Sequence, residues 1–247
     1  EHFLWASRSI VIAGTHGKTT TASLVTWLLT FGGLDPSALI GGIAANLGEG
    51  GASYRLGEGR DFVIEGDEYD SAFFDKTAKF LKYLPDIAVI GNIEFDHADI
   101  YASLDEIRLA FRRLVNLVPG RGLLLLGADS AEAAAMKAAA RSPVQTFGLA
   151  PEADWHGYDL RPGAGATTFG VRRHGTSFGT FTVPLVGAYN VRNALAAIAV
   201  GDALGLAPTV LADGLKQFRG VRRRLEELGT IGGVAVYDDF AHHPTAI

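Results

Sequence analysis

The chain has 247 residues, enough for one large domain or two modest ones with a substantial core. Apolar residues make up 48% and charged residues 20%, an ordinary balance for a globular protein, and the net charge of −5 argues against a general nucleic-acid binder. With no cysteine, disulfides and thiolate metal sites are excluded. No apolar run approaches the roughly 20 residues needed to span a bilayer, and Asp202 interrupts the longest alanine-rich stretch. The start, Glu1-His2-Phe3-Leu4-Trp5, lacks the basic residues of a secretory signal. A cytoplasmic location with no membrane or nucleic-acid partner is expected. Motifs close to both ends point to a piece of a longer protein.

The first apolar run, residues 9–13, predicts a buried strand. It leads straight into Gly14-Thr15-His16-Gly17-Lys18-Thr19, and residues 20–29 predict a helix. In a strand, glycine turn and helix start of this kind, backbone N–H groups and a helix N-terminus face an anion. Lys18 can then reach outer phosphates, and the Thr19 hydroxyl can hold Mg²⁺. Ile12 stands where the pattern G-x-x-x-x-G-K-[ST] has its first glycine, so the loop is a shortened variant. A nucleoside triphosphate is the predicted ligand.

Further strands are predicted at 61–65, 87–92, 122–126 and 144–148, with helices at 75–83, 104–117 and 130–140. Continuously apolar strands such as Ile87-Ala88-Val89-Ile90 are buried on both faces, which points to a parallel sheet between helices. From 154 to 186 glycines punctuate short alternating stretches, the pattern of antiparallel hairpins. Helices at 190–204 and 208–218 and a strand at 234–237 complete the chain. The expected fold class is α/β: a P-loop-type, mostly parallel sheet flanked by helices, with a small appended antiparallel sheet. Ligands of such sheets bind beyond the carboxyl ends of the strands.

Four carboxylates, Glu65, Asp67, Glu68 and Asp70, crowd the end of the strand at 61–65. Crowded carboxylates need cations, and Glu65, nearest the strand, is the expected ligand of a Mg²⁺ shared with Thr19. A second acidic segment, 92–99, contains His97, which is expected at the metal or the phosphates, although Mg²⁺ favours oxygen. Asn190 and Asn193 lie three apart on one helix face, where their amides can read a base edge or serve as a cap. Arg222-Arg223-Arg224 is either a phosphate clamp or a solvated run. His242 and His243, adjacent on an extended segment, would point opposite ways, so an ion shared between them is not expected.

Taken in order, 14–20, 65–70, 92–99, 189–194, Arg223-Arg224 and 238–244 resemble the Mur ligase family of ATP-dependent amide-forming enzymes. The resemblance covers nearly the whole chain and matches the family's central ATP-binding domain. It implies that an N-terminal domain holding a UDP-sugar and a C-terminal domain that closes the site are missing. Gly14, Thr15, His16, Gly17, Lys18, Thr19 and Thr20 would then form the ATP loop, with Lys18 on the outer phosphates and Thr19 on the first Mg²⁺. Glu65 and His97 would serve the metal between ATP and the reacting carboxylate. Asn190 and Asn193 would contact the base, Arg224 the phosphates, and Asp239 the ribose side.

Within the family, the Glu-x-Asp-Glu of residues 65–68 and the segment 238–244 are similar to the branch acting on UDP-N-acetylmuramate. The segments 68–76 and 92–100, with extra residues from Phe74 to Lys82, resemble most the members that add a whole L-alanyl-γ-D-glutamyl-meso-diaminopimelate tripeptide; those that add L-alanine are the alternative. Two departures stand out: Tyr189 replaces a histidine common there, and no lysine occurs from 98 to 118, where other branches carry a carbamylated one. The implied reaction passes through an acyl phosphate. A folylpolyglutamate-synthase-like ligase shares the loop variant but not the 238–244 ending, and a bare nucleotide-binding module remains the non-enzyme alternative.

Overall fold

The computed structural model describes residues 4, 6–96, 100–241 and 243–245. The first half contains β1 (Arg8–Ala13), α1 (Lys18–Phe31), β2 (Ser37–Ala44), β3 (Ala52–Arg55), β4 (Asp61–Glu65), β5 (Asp70–Ala72), β6 (Asp75–Ala78), β7 (Ile87–Ile90) and α2 (Leu104–Leu117). Then follow β8 (Leu123–Gly127), α3 (Ala131–Ala135), β9 (Val144–Gly148), β10 (Trp155–Pro162), β11 (Thr167–Arg173), β12 (Thr176–Val183), α4 (Ala188–Ala203), α5 (Pro208–Lys216), β13 (Glu226–Ile231) and β14 (Val234–Asp238). Ten strands form one sheet, in the order β12-β11-β10-β9-β8-β7-β1-β4-β2-β3.

Burial on both sides of β1 sets the layers. Ile10 and Ile12 face a core built with Leu24, Leu28 and Ile198, which belong to α1 and α4. Val11 and Ala13 face the opposite core, where Phe111 and Leu114 of α2 pack with Phe80. Alternate residues of one strand thus fill two cores, which explains why β1 reads as a continuous apolar run. β1 pairs in parallel with β4 on one side and β7 on the other. The carboxyl ends of these three strands therefore lie side by side.

The antiparallel strands are appended to the main sheet, as expected, and continue it at one edge. β10 joins β9 in parallel through Trp155 opposite Phe147, then pairs antiparallel with β11, which pairs likewise with β12. Trp155 is fully buried at this change of direction, and its indole N–H donates to Gln145 Oε1 at 2.8 Å.

Several segments differ from the sequence reading. Residues 75–83, expected as a helix, form β6 and a 3₁₀ turn, Lys79–Lys82. Asp75 Oδ1 accepts the Thr77 N–H at 3.0 Å, a local turn that competes with helix, and Asp70 pairs with Ala78 across the hairpin. β2 and β3 were not expected, and β14 has an unforeseen partner, β13. The helix expected at 130–140 tightens after Ala135 into a 3₁₀ turn, Met136–Ala139.

Trp155→Ala should lower stability by about 3–5 kcal/mol, the cost of emptying a large aromatic site. Urea unfolding measures it, and a loss below about 1 kcal/mol would show that the junction between parallel and antiparallel strands does not rest on this ring.

Candidate nucleotide-binding site

The loop after β1 is held by the end of β7. Thr15 N–H donates to Asn92 O at 2.9 Å, His16 N–H donates to Asn92 Oδ1 at 2.8 Å, and Asn92 Nδ2 donates back to His16 O at 3.0 Å. A two-way amide contact of this kind fixes the loop without filling it. Gly17 caps α1 in the left-handed region, with φ of 82°. The first four N–H groups of a helix have no intrahelical acceptor; here they are those of residues 17–20, and Thr21 N–H is the first to close a turn, onto Gly17 O at 2.9 Å. A cleft of about 550 Å³ opens beside them.

Lys18 turns back over its own loop. Its Nζ donates to Gly14 O at 2.8 Å and to Thr15 O at 3.2 Å, and meets the Glu68 carboxylate at 2.8 Å. Glu68 is only 4% exposed. This pair, with Glu68 buried and Lys18 part-buried, holds the ammonium at the loop. The other crowded carboxylates divide their cations: Asp67 takes Lys79 at 3.1 Å and Asp70 takes Lys76 at 2.7 Å.

Glu65 differs from those three. Its Oε1 accepts the Thr19 hydroxyl at 2.9 Å and its Oε2 accepts the Gly41 N–H at 2.7 Å, and among the described residues no lysine pairs with it. Arg224 Nη2 also donates to Thr19 Oγ1, at 3.2 Å. Thr19 and Glu65 thus present hydroxyl and carboxylate oxygens together, the donor type that Mg²⁺ selects. The residues fit that ion on chemistry and on proximity.

Across the cleft, α4 touches the loop. Thr21 Oγ1 donates to Asn193 Oδ1 at 3.1 Å, Asn193 Nδ2 donates to Asn190 Oδ1 at 3.3 Å, and Asn190 Nδ2 donates to Val186 O at 2.8 Å. Both asparagines line the cleft with part of their hydrogen-bonding capacity committed to the scaffold. Asp239 accepts the N–H groups of Leu225 at 2.8 Å and Ala241 at 2.7 Å, and its charge, with burial, raises the Tyr189 pKa, burial contributing most. Burial lowers the His16 pKa against the opposing pull of Glu94. The three arginines diverge: Arg222 reaches Gly50 O, Arg223 meets Asp238, and only Arg224 enters the cleft.

Most of the residues singled out in the sequence therefore meet at one place. Gly14, Thr15, His16, Gly17, Lys18, Thr19 and Thr20 form the loop and helix start; Glu65, Asn190, Asn193, Arg224 and Asp239 surround it. His97 and His242 lie outside the described residues. Two contributors were not singled out: Asn92 as the loop's clamp and Glu68 as the partner of Lys18. Each acts across a large sequence separation, which only strand pairing closes.

The fold and site define an α/β domain with a phosphate-type loop at the carboxyl end of its central strand. The family model of the Mur ligase middle domain matches residues 12–201, and the chain belongs to the Mur ligase family. It is 40% identical over its full length to the UDP-N-acetylmuramate–L-alanyl-γ-D-glutamyl-meso-2,6-diaminoheptandioate ligase of Haemophilus influenzae, covering 53% of that protein. It is 41% identical to the UDP-N-acetylmuramate–L-alanine ligase of Geotalea uraniireducens, with 96% of this chain and 50% of that protein covered. Among solved structures, a ligase of the first kind from Neisseria meningitides superposes with a TM-score of 0.80 at 36% identity, over 89% of this chain and 68% of that one. The chain spans about half the length of the curated relatives it matches.

Gly17→Ala should weaken nucleotide binding, because a Cβ there would lie 2.6 Å from Asn193 Oδ1 and push that amide from its place beside the loop, at a φ of 82°. Gly165→Ala, with φ of 72° but open space around it, is the control for backbone strain alone and should leave binding intact. Titration calorimetry with ATP distinguishes them; equal binding by both variants would contradict the packing of loop against α4.

Proposed function

We propose that this chain is the ATP-binding part of an ATP-dependent amide ligase, with Lys18, Thr19 and Glu65 at its chemical centre. The observation that carries the reading is the convergence of a lysine, a hydroxyl and a lysine-free carboxylate on the open N–H groups of one helix start. The relatives' names supply the reaction class. In it, a substrate carboxylate takes the γ-phosphoryl group of ATP and releases ADP; an amine then attacks the acyl carbon, phosphate leaves, and the nitrogen loses a proton. Such phosphoryl transfer needs positioning and charge neutralisation more than a protein nucleophile.

The roles proposed for the chain's residues rest on their geometry together with the family resemblance. The N–H groups of residues 17–20 donate to the oxygens of a polyphosphate. Lys18 exchanges Glu68 and its loop carbonyls for phosphate oxygens, a movement its flexible stem allows. Thr19 and Glu65 hold Mg²⁺, which neutralises phosphate charge when bound. Arg224 adds a cation over Thr19, Asn190 and Asn193 face the base, Asp239 lies toward the ribose, and His97 is assigned to the metal on the family resemblance alone. Further domains before and after this chain, supplying the UDP-sugar site and closing the cleft, are part of the same proposal, as is a cytoplasmic setting.

For substrates we take UDP-N-acetylmuramate and the L-alanyl-γ-D-glutamyl-meso-diaminopimelate tripeptide. The hairpin of β5 and β6, with Phe73 and Phe74 exposed at its tip beyond the Glu65 strand, supports an enlarged acceptor side. The comparable identity to L-alanine-adding relatives favours a second reading with free L-alanine as acceptor.

Two measurements on the full-length protein test this. Lys18→Ala should lower kcat by about 10²-fold or more with every acceptor, the scale of losing one charge-stabilising donor; near-normal phosphate release would end the reading. An acceptor panel should show tripeptide preferred over L-alanine, and the reverse preference would establish the second reading.

A further inference from the structure

Three side chains at the mouth of the cleft come together from distant parts of the chain: His16 in the loop, Glu94 after β7, and His243 after β14. His16 Nε2 lies 3.4 Å from Glu94 Oε2, and His243 Nδ1 lies 4.0 Å from the same oxygen. Their ligand atoms all fall within 4.8 Å of one another, and the two imidazole rings are 4.8 Å apart, tilted by 41°. None of these contacts is part of the Thr19 and Glu65 pair.

Two imidazoles and one carboxylate are the donor set of a borderline-soft divalent ion, not of Mg²⁺, which favours oxygen alone. With metal–ligand bonds of about 2.0–2.1 Å, ligand atoms of a tetrahedral site stand about 3.3–3.4 Å apart. The His16–Glu94 edge already has that length; the His243–Glu94 edge, at 4.0 Å, and the His16–His243 edge, within 4.8 Å, close when His243 moves in by about 1 Å or a little more. Thr245 N–H points at His243 Nδ1 at 3.3 Å, so that nitrogen carries a lone pair; the bond is long and yields to a stronger partner. The half-buried setting leaves one side open for a water or anion as fourth ligand.

We propose that His16, Glu94 and His243 form a Zn²⁺-class binding site that ties the segment after β14 to the loop after β1. The site goes beyond the ligase reading and does not depend on it, because its test contains no nucleotide. The ion joins two segments more than 200 residues apart in sequence, so it stabilises the folded chain by mass action.

The test titrates the metal-free chain with Co²⁺, read by the visible absorption of tetrahedral coordination, and then with Zn²⁺ by competition. One equivalent should bind, Zn²⁺ should displace Co²⁺, and a large excess of Mg²⁺ should displace neither. His243→Ala and Glu94→Gln should each weaken Zn²⁺ at least tenfold. His174→Ala, which removes an imidazole from the turn of β11 and β12, should change nothing. Thermal unfolding in chelator should give the same Tm for all four proteins, and added Zn²⁺ should raise it in wild type and His174→Ala only. Equal Zn²⁺ affinity in wild type and His243→Ala, or a loss specific to His174→Ala, would overturn the proposal.

Discussion

The pairing of β1 with β4 on one side and β7 on the other is the constraint on which the rest of the structure depends. Parallel strands deliver their carboxyl ends to the same edge, so three loops far apart in sequence become neighbours without any further device. The loop of β1 brings open N–H groups, the end of β4 brings Glu65, and the end of β7 brings Asn92. Burial of β1 on both faces keeps this register, since a slip of one residue would exchange its two cores. The site is thus anchored to the centre of the sheet.

Charge at that edge is shared out rather than accumulated. Glu68, Asp67 and Asp70 each have a lysine, whereas Glu65, among the described residues, accepts a hydroxyl and a backbone N–H. A carboxylate held by neutral donors keeps its full charge for an arriving cation. The pair of Lys18 and Glu68 is a different device: buried, satisfied by two further carbonyls, and exchangeable because the lysine stem is flexible. It keeps a cation beside the loop before a polyanion arrives.

Much of this was legible in the sequence, and for identifiable reasons. The strand at 61–65 and the helix at 104–117 were readable to the residue because their periodicity reflects burial on known faces. The placement of Lys18 and Thr19 at the helix start and of Glu65 at the strand end was readable because local chain geometry sets the loop and the strand end. Residues 75–83 misled because spaced apolar residues look helical, while an Asx turn at Asp75 and pairing to Asp70 decide otherwise. β2 was hidden by Gly41 and Gly42, which dilute its apolar run, and its partner β4 lies across a crossover. Asn92 and Glu68 could not be assigned because their partners are 76 and 50 residues away. His243 stood beside His242 in sequence, which drew attention to the wrong pair; its neighbours are His16 and Glu94.

The most direct test is the structure of this chain with a non-hydrolysable ATP analogue and Mg²⁺. The account predicts the phosphates against the N–H groups of residues 17–20, Lys18 Nζ moved from Glu68 to a phosphate oxygen, and the ion between Thr19 and Glu65. A bound nucleotide elsewhere, with Lys18 still on Glu68 and the loop open, would contradict it.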